Sequence, residues 1–308
     1  MDVDVDDVSL SAISQSDILI ESGFPDNESC LENHQYTAMK EMCVHNLPLE
    51  FQDQNFLLFL LMARILTCKI IVLDISQHRP QSFTLDRRIG DMERVGTGSL
   101  IDVSRCGLHR QWELLQLAGL NCDRRDLFTL SILTSRHLVY DTDEALHTTV
   151  QFFHFFNHVP ATEITGSDIR PFPDGDDQTC LLICKGVPPG LIEELKDIQD
   201  KLLGLENYIP NFIKARLSNQ TFLVSYPHGE QQMMCHGWCQ EREDNNAEAG
   251  DRPRKCLEHQ VCTCPGSLGA PMITFMNLQN PSGSNYKMDI WLHLGRNLET
   301  GFKVSHVK

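Results

Sequence analysis

Three stretches far apart in this chain carry side chains that, brought together, could perform acyl transfer. Thr134-Ser135-Arg136-His137-Leu138-Val139 sets a histidine at the end of an apolar run, and histidine is a base whose charge changes near neutral pH. Asp174-Gly175-Asp176-Asp177 offers carboxylates just ahead of the apolar run Cys180 to Cys184. The third stretch, Cys264-Pro265-Gly266-Ser267-Leu268-Gly269-Ala270-Pro271, follows the glycine-rich turn pattern G-x-S-G-[GA]-P everywhere except at the reacting position. Leu268 stands where a nucleophilic serine belongs. Taken singly, a histidine after a strand is most often structural and an Asp-Gly-Asp-Asp run is most often a solvated turn.

Their order in the chain, histidine then acid then nucleophile position, resembles that of the chymotrypsin-like serine peptidases, from about Gly96 to the C-terminus. Gly96-Thr97-Gly98-Ser99 is similar to the segment that opens the strand leading toward the histidine in that family. Ser225-Tyr226-Pro227-His228-Gly229 resembles the turn before the substrate-facing strands of the second lobe, and Trp291-Leu292-His293-Leu294-Gly295 the segment lining the specificity pocket. The resemblance implies His137 as base, Asp177 as its orienting acid, and the backbone amides of Gly266 and Leu268 as an oxyanion hole. It places substrate contacts at Cys262, His293 and Gly295. With Cys262 rather than a carboxylate at the pocket floor, the implied pocket is neutral.

The departures decide the chemistry. In a Ser-His-Asp triad serine supplies the attacking oxygen, histidine takes its proton and aspartate orients the imidazole. A leucine side chain has no atom that a base can activate. Ser267 is an alternative nucleophile, one residue away, although neighbours in a tight turn project differently and a geometry error near 1 Å costs about 100-fold. The family's secreted members carry an aspartate at the position of Ser267 that captures a newly cut N-terminus, and serine implies no such activation. The acid position falls on Asp177, with Asp176 in reserve and Gln178 the outcome of a one-residue shift.

Cys235, Cys239, Cys256, His259, Cys262 and Cys264 form the densest group of potential metal ligands, and four of them could close a tetrahedral zinc site. The spacing is not that of paired CxxC motifs, so the reading of the group is reduced thiols in a β core, with no metal and no cofactor. Three functions follow from these residues. The first is a serine-peptidase homologue, impaired by Leu268, that binds a polypeptide or protein partner through the former cleft. The second is an endopeptidase using Ser267 with His137 and Asp177, and the third a zinc-stabilised interaction module.

The elements that must position these residues read as all-β. Short apolar runs alternate with turn signals from residue 81 onward, including Gly96 to Val103, Leu127 to Leu133, Thr148 to Phe156, Cys180 to Cys184 and Thr221 to Ser225, a rhythm that suits an antiparallel sandwich or barrel. With the resemblance, this becomes a chymotrypsin-like double β-barrel over residues 81–308. A helix within Leu47 to Leu66 and a strand at Lys69 to Leu73 add a segment over 46–80. A second helix, Gly190 to Leu205, has apolar residues at helical spacing and belongs to an inter-lobe connector over about 186–220. Residues 1–45 read as an acidic, disordered tail, and Glu241 to Lys255 as an exposed charged loop.

Bulk composition narrows the partners. A formal net charge of −16 across 308 residues opposes binding to a nucleic-acid backbone or an anionic membrane. The longest apolar run, Phe56 to Ala63, falls far short of the roughly 20 residues a membrane helix needs. The N-terminus lacks the pattern of a secretory signal, so the 12 cysteines are expected as thiols in the cytoplasm of a cell.

Overall fold

A computed structural model describes residues 18–19, 36–80, 93–105, 128–153, 161–172, 178–244, 254–280, 283–297 and 303–307. In chain order its strands are β1 (Ile18–Leu19), β2 (Thr37–Ala38), β3 (Thr67–Val72), β4 (Arg94–Arg105), β5 (Phe128–Ser135), β6 (Thr148–Phe152), β7 (Thr162–Pro171), β8 (Thr179–Lys185), β9 (Gln220–Ser225), β10 (Met233–Asp244), β11 (Arg254–His259), β12 (Pro271–Asn280), β13 (Gly283–Asn297) and β14 (Lys303–Val307). Among the described residues the α-helices are α1 (Gln54–Leu66), α2 (Thr142–Leu146), α3 (Pro189–Glu206) and α4 (Asn211–Arg216).

The strands close into two antiparallel barrels of six. The first runs β3-β4-β5-β8-β7-β6 and back to β3. In the second, β13-β12-β9-β10-β11-β14 returns through a β13–β14 pairing. Closure removes the exposed edges that a flat sheet would leave. Burial alternates along β6, as a wall between a packed interior and the outside requires. The architecture is therefore the double β-barrel expected from the sequence, with the helical connector as α3 and α4 between β8 and β9.

Helix α1 joins the two barrels. Asp53 starts it by accepting hydrogen bonds from the Asn55 and Phe56 amides, both at 2.9 Å, a cap that contributes about 1 kcal/mol. Phe56, Leu57, Phe59 and Leu60 turn inward. The Phe56 and Phe51 rings meet Phe222 of β9 edge-on at 5.2 and 5.3 Å, in the second barrel. At its other end α1 passes directly into β3 of the first barrel, its residues stacked against α3 on the way. Pro189 begins α3, where its fixed φ is favourable and its missing N–H is not needed.

Two expectations are corrected. The disordered tail does not extend to residue 45: β1 pairs with β13, β2 pairs with β10, and Met39 is fully buried. Short pieces with little apolar periodicity gain their order here from pairing with a preformed barrel. The charged stretch from Glu241 is also not wholly a loop. The β10–β11 ladder runs out to Asp244 opposite Arg254, with Glu243 opposite Lys255. Of the strand expected over Thr148 to Phe156, β6 covers the part to Phe152 and residues 154–160 lie outside the described residues.

The described cysteines are free thiols. Burial pushes Cys184 up to about 12, and Cys180 and Cys239 to the same level, which keeps them protonated and unreactive at neutral pH. No described helix is long and apolar enough to cross a membrane.

The aromatic joint yields a stability prediction. Phe222→Ala removes the ring on which Phe51 and Phe56 rest and should lower unfolding free energy by about 3–5 kcal/mol, measured by urea denaturation. Tyr208→Ala, at an exposed position, should stay within about 0.5 kcal/mol.

Candidate functional site

His137 lies in the tight turn after β5. The Leu138 and Val139 amides both donate to the Ser135 carbonyl, at 3.0 and 3.2 Å, while the His137 amide donates to Ser135 Oγ at 3.2 Å. The residue is 7% exposed. The β5–β8 register sets Ser135 opposite Thr179, and the Arg136 amide donates to the Gln178 carbonyl at 2.7 Å. The end of β8 that follows the acidic run is thus fastened beside the histidine. Asp176 and Asp177 lie outside the described residues. Gln178 is described and buried.

Thr97 of β4 holds the glycine-rich turn against the first barrel. Its amide donates to the Leu268 carbonyl at 2.9 Å and its hydroxyl to the Gly266 carbonyl at 2.7 Å. The same hydroxyl accepts from the Tyr226 amide at 3.2 Å, and the Thr97 carbonyl accepts from Thr134 Oγ1 at 2.8 Å. Two glycines make the close approach possible. Gly266 has φ +95° and Gly269 φ +78°, and a Cβ would strike the Tyr226 carbonyl at the first and the Thr97 carbonyl at the second. Next to this contact, a Cβ on Gly96 would meet both the Leu138 side chain and the Leu268 carbonyl. The histidine turn and the glycine-rich turn therefore converge on the start of β4.

Within the glycine-rich turn the two candidate nucleophile positions differ. Leu268 is 8% exposed and belongs to the large apolar cluster that also holds Leu138. Ser267 is 0% exposed; its hydroxyl donates to Ser225 Oγ at 3.2 Å and accepts from the Cys264 amide at 3.3 Å. Tyr36 reaches Ser267 and Cys264 from the segment ahead of β2, and burial above all pushes its phenol far above the ordinary range. The Gly266 and Leu268 amides make no hydrogen bond among the described residues, whereas those of Ser267, Gly269 and Ala270 do.

The residues assigned to substrate contact lie close by. His293 grips the chain just after Leu268, accepting from the Gly269 amide at 2.9 Å and donating to the Ala270 carbonyl at 3.0 Å. Its ring is buried, with Nδ1 3.3 Å from His259 Nε2. Gly295 sits at a bulge of β13 against β14, and Cys262, partly exposed, accepts at its carbonyl from the Cys235 thiol at 2.9 Å. Among the described residues no three His, Cys, Asp or Glu side chains converge as a metal site would.

The sequence reading missed an ion cluster behind His137. Glu144 of α2 is 0% exposed and takes Arg79 in a two-pronged pair at 2.8 and 2.6 Å. Arg94 lies 3.1 Å from the same carboxylate, and the Tyr140 and Ser76 amides donate to it at 2.9 and 3.1 Å. Burial pushes the Glu144 carboxyl up, but the Arg79 hydrogen bonds and the Arg94 charge outweigh it and hold it below the usual carboxylate range. Arg79 also donates to the carbonyls of His137 and Leu138, at 3.0 and 3.4 Å.

No protein-family model and no curated protein matches the chain. Among solved structures it is similar to the active form of the Rv3671c protease from M. tuberculosis, with a TM-score of 0.40 and 12% identity over 81% of this chain and 78% of that one. It is also similar to the HtrA-type protease AlgW with tripeptide, with a TM-score of 0.35 and 10% identity over 81% of this chain and 58% of that one.

Two measurements test this geometry. Thr97→Val keeps the side chain's shape but removes its hydroxyl, leaving the Gly266 carbonyl and Tyr226 amide without that partner, and should cost about 1–3 kcal/mol by urea denaturation. The second concerns pH. A carboxyl whose folded pKa is depressed stabilises the fold above its unfolded value, and that contribution is lost as pH falls through the folded value. Wild type should therefore lose stability relative to Glu144→Gln as pH is lowered from 6 through the range below about 4.5, and parallel stability curves for the two proteins would refute this role of the carboxylate.

Proposed function

We propose that this chain is a serine-peptidase homologue that binds a polypeptide segment in the cleft between its barrels and does not cleave it. The observation that carries the reading is the state of the glycine-rich turn. The position that should present an oxygen to His137 is an apolar side chain packed in the core cluster, and a hydrocarbon cannot form an acyl intermediate. The neighbouring hydroxyl of Ser267 is buried and already bonded to Ser225, which supports a structural role for it over that of a substitute nucleophile. The parts that would hold a peptide chain and polarise its carbonyl are retained: the His137 turn, the Gly266 and Leu268 amides, and the His293 segment of β13. The acid that would orient His137 is assigned to Asp177, with Asp176 next in line. Cys262, His293 and Gly295 form the neutral contact surface for the ligand's side chain.

The test is covalent labelling with a fluorophosphonate probe. Wild type should remain unlabelled and hydrolyse a mixed peptide library no faster than His137→Ala. Leu268→Ser, once shown to be folded, should acquire labelling at residue 268. Labelling of wild type that disappears in Ser267→Ala would reverse the proposal and make Ser267 the nucleophile.

A further inference from the structure

The Arg79–Glu144–Arg94 cluster stands outside the chemistry described above, and stability explains it poorly. Taking three charged groups out of water is costly, and a buried Arg–Glu–Arg group can often be replaced by well-packed apolar residues without loss of stability. What the cluster does specify is geometry. Five N–H groups, from Arg79 Nε and Nη2, Arg94 Nη2 and the Tyr140 and Ser76 amides, converge on the two oxygens of Glu144. The carboxylate plane then fixes the plane of the Arg79 guanidinium. Arg79 in turn carries the His137 carbonyl on Nη1 and the Leu138 carbonyl on Nη2, and its guanidinium lies over the Tyr140 ring, 5.6 Å from the centroid. A lysine could match the charge but not this fork of donors.

From this we infer that Arg79 and Glu144 are positioning residues for His137: the buried ion cluster sets the backbone of the histidine turn, and through Leu138 the wall that faces position 268. The inference rests on the reading of His137 as the working side chain of the cleft. Arg79 and Ser76 come from the loop after β3, Arg94 from the start of β4 and Glu144 from α2, so three separate segments of the first barrel are joined at one carboxylate. Leu138 packs where Gly96 has no side chain, beside the Leu268 carbonyl. A shift of the Arg79 fork thus moves both sides of the site.

The test separates positioning from stability. Replacing all three charges together, Arg79→Met, Arg94→Met and Glu144→Leu, removes the cluster without leaving a buried charge unpaired. The Ser76 and Tyr140 amides lose an acceptor and the His137 and Leu138 carbonyls a donor, so the melting temperature should fall by several degrees while the variant stays folded. The ring Hε1–Cε1 NMR cross-peak of His137, assigned with His137→Gln, should move, and the amides of His137, Leu138 and Val139 should exchange about ten-fold faster or more. A folded triple variant with the His137 cross-peak and these exchange rates unchanged overturns the inference. Should the triple variant not fold, Arg79→Lys decides. It keeps a cation beside Glu144 but loses the fork, so the His137 cross-peak should still move while the melting temperature stays near that of wild type, and an unmoved cross-peak again overturns the role. These readouts follow the histidine itself. Failure of Leu268→Ser to label counts against the proposed function and leaves this result standing.

Discussion

The hydrogen bonds of Thr97 are the constraint on which the rest of the site depends. One residue of β4 uses its amide, hydroxyl and carbonyl to bind Leu268, Gly266, Tyr226 and Thr134. Three of those partners are in the second barrel or the loop leading to its strand β12, and the fourth ends β5 just ahead of the histidine turn. Two closed barrels have no free edges with which to pair, so their mutual placement must come from such point contacts and from packing. Thr97 supplies polar contacts, as do Tyr226 and Gln232 on the Thr67 carbonyl, and apolar contacts come from α1, with Phe51 and Phe56 against Phe222, and from Leu133 packed with Leu292 and Leu294. Glycines at 266 and 269 are required because the turn approaches the strand backbone more closely than any side chain would allow.

The two halves of the site are held by different physics. The glycine-rich turn is fixed by neutral hydrogen bonds, each contributing about 1 kcal/mol, in surroundings that include the hydroxyls of Ser225 and Ser267. The histidine turn combines its own neutral hydrogen bonds with the charged donors of Arg79. Around Glu144 the low polarity of the interior strengthens each hydrogen bond and makes an unsatisfied one costly, so the arrangement is stiff only because every oxygen of the carboxylate is occupied. That stiffness is local, which suits a turn of four residues that must present one ring.

Much of the fold was legible in the sequence because apolar runs alternate with turns as a sandwich or barrel requires, because the motifs resemble those of a double-barrel family, because the apolar run Phe56 to Ala63 marked α1 and because α3 has an apolar face at helical spacing. Motif order drew attention to the His137 turn and to the turn at Leu268, both of which approach Gly96 of β4. Other features were hidden for identifiable reasons. Thr97 was visible within Gly96-Thr97-Gly98-Ser99, but a threonine's role as a clasp depends on partners up to 171 positions later, which pairing across barrels alone reveals. The pairing of Arg79 with Glu144 was hidden because their separation of 65 residues carries no periodic signal. Tyr36 lay in a stretch whose polarity suggested disorder. Its order comes from the second barrel, through β2 on β10 and the contact with Ser267.

Leu268 can be understood in the same terms. A serine in its place would need a hydrogen-bond partner and an opening to solvent, both of which weaken packing where the barrels meet. Leucine instead joins the cluster of Leu138 and its neighbours, and burying such a side chain is worth roughly 1.5–3 kcal/mol. Reactive sites are commonly less stable than inert ones, so relative to a serine an apolar residue here gives a tighter seam. The exchange leaves the surrounding backbone in place, because the turn's conformation is set by its glycines and by Thr97 and not by the side chain at 268. The side chain at 268 can therefore change without altering the shape of the turn that carries it.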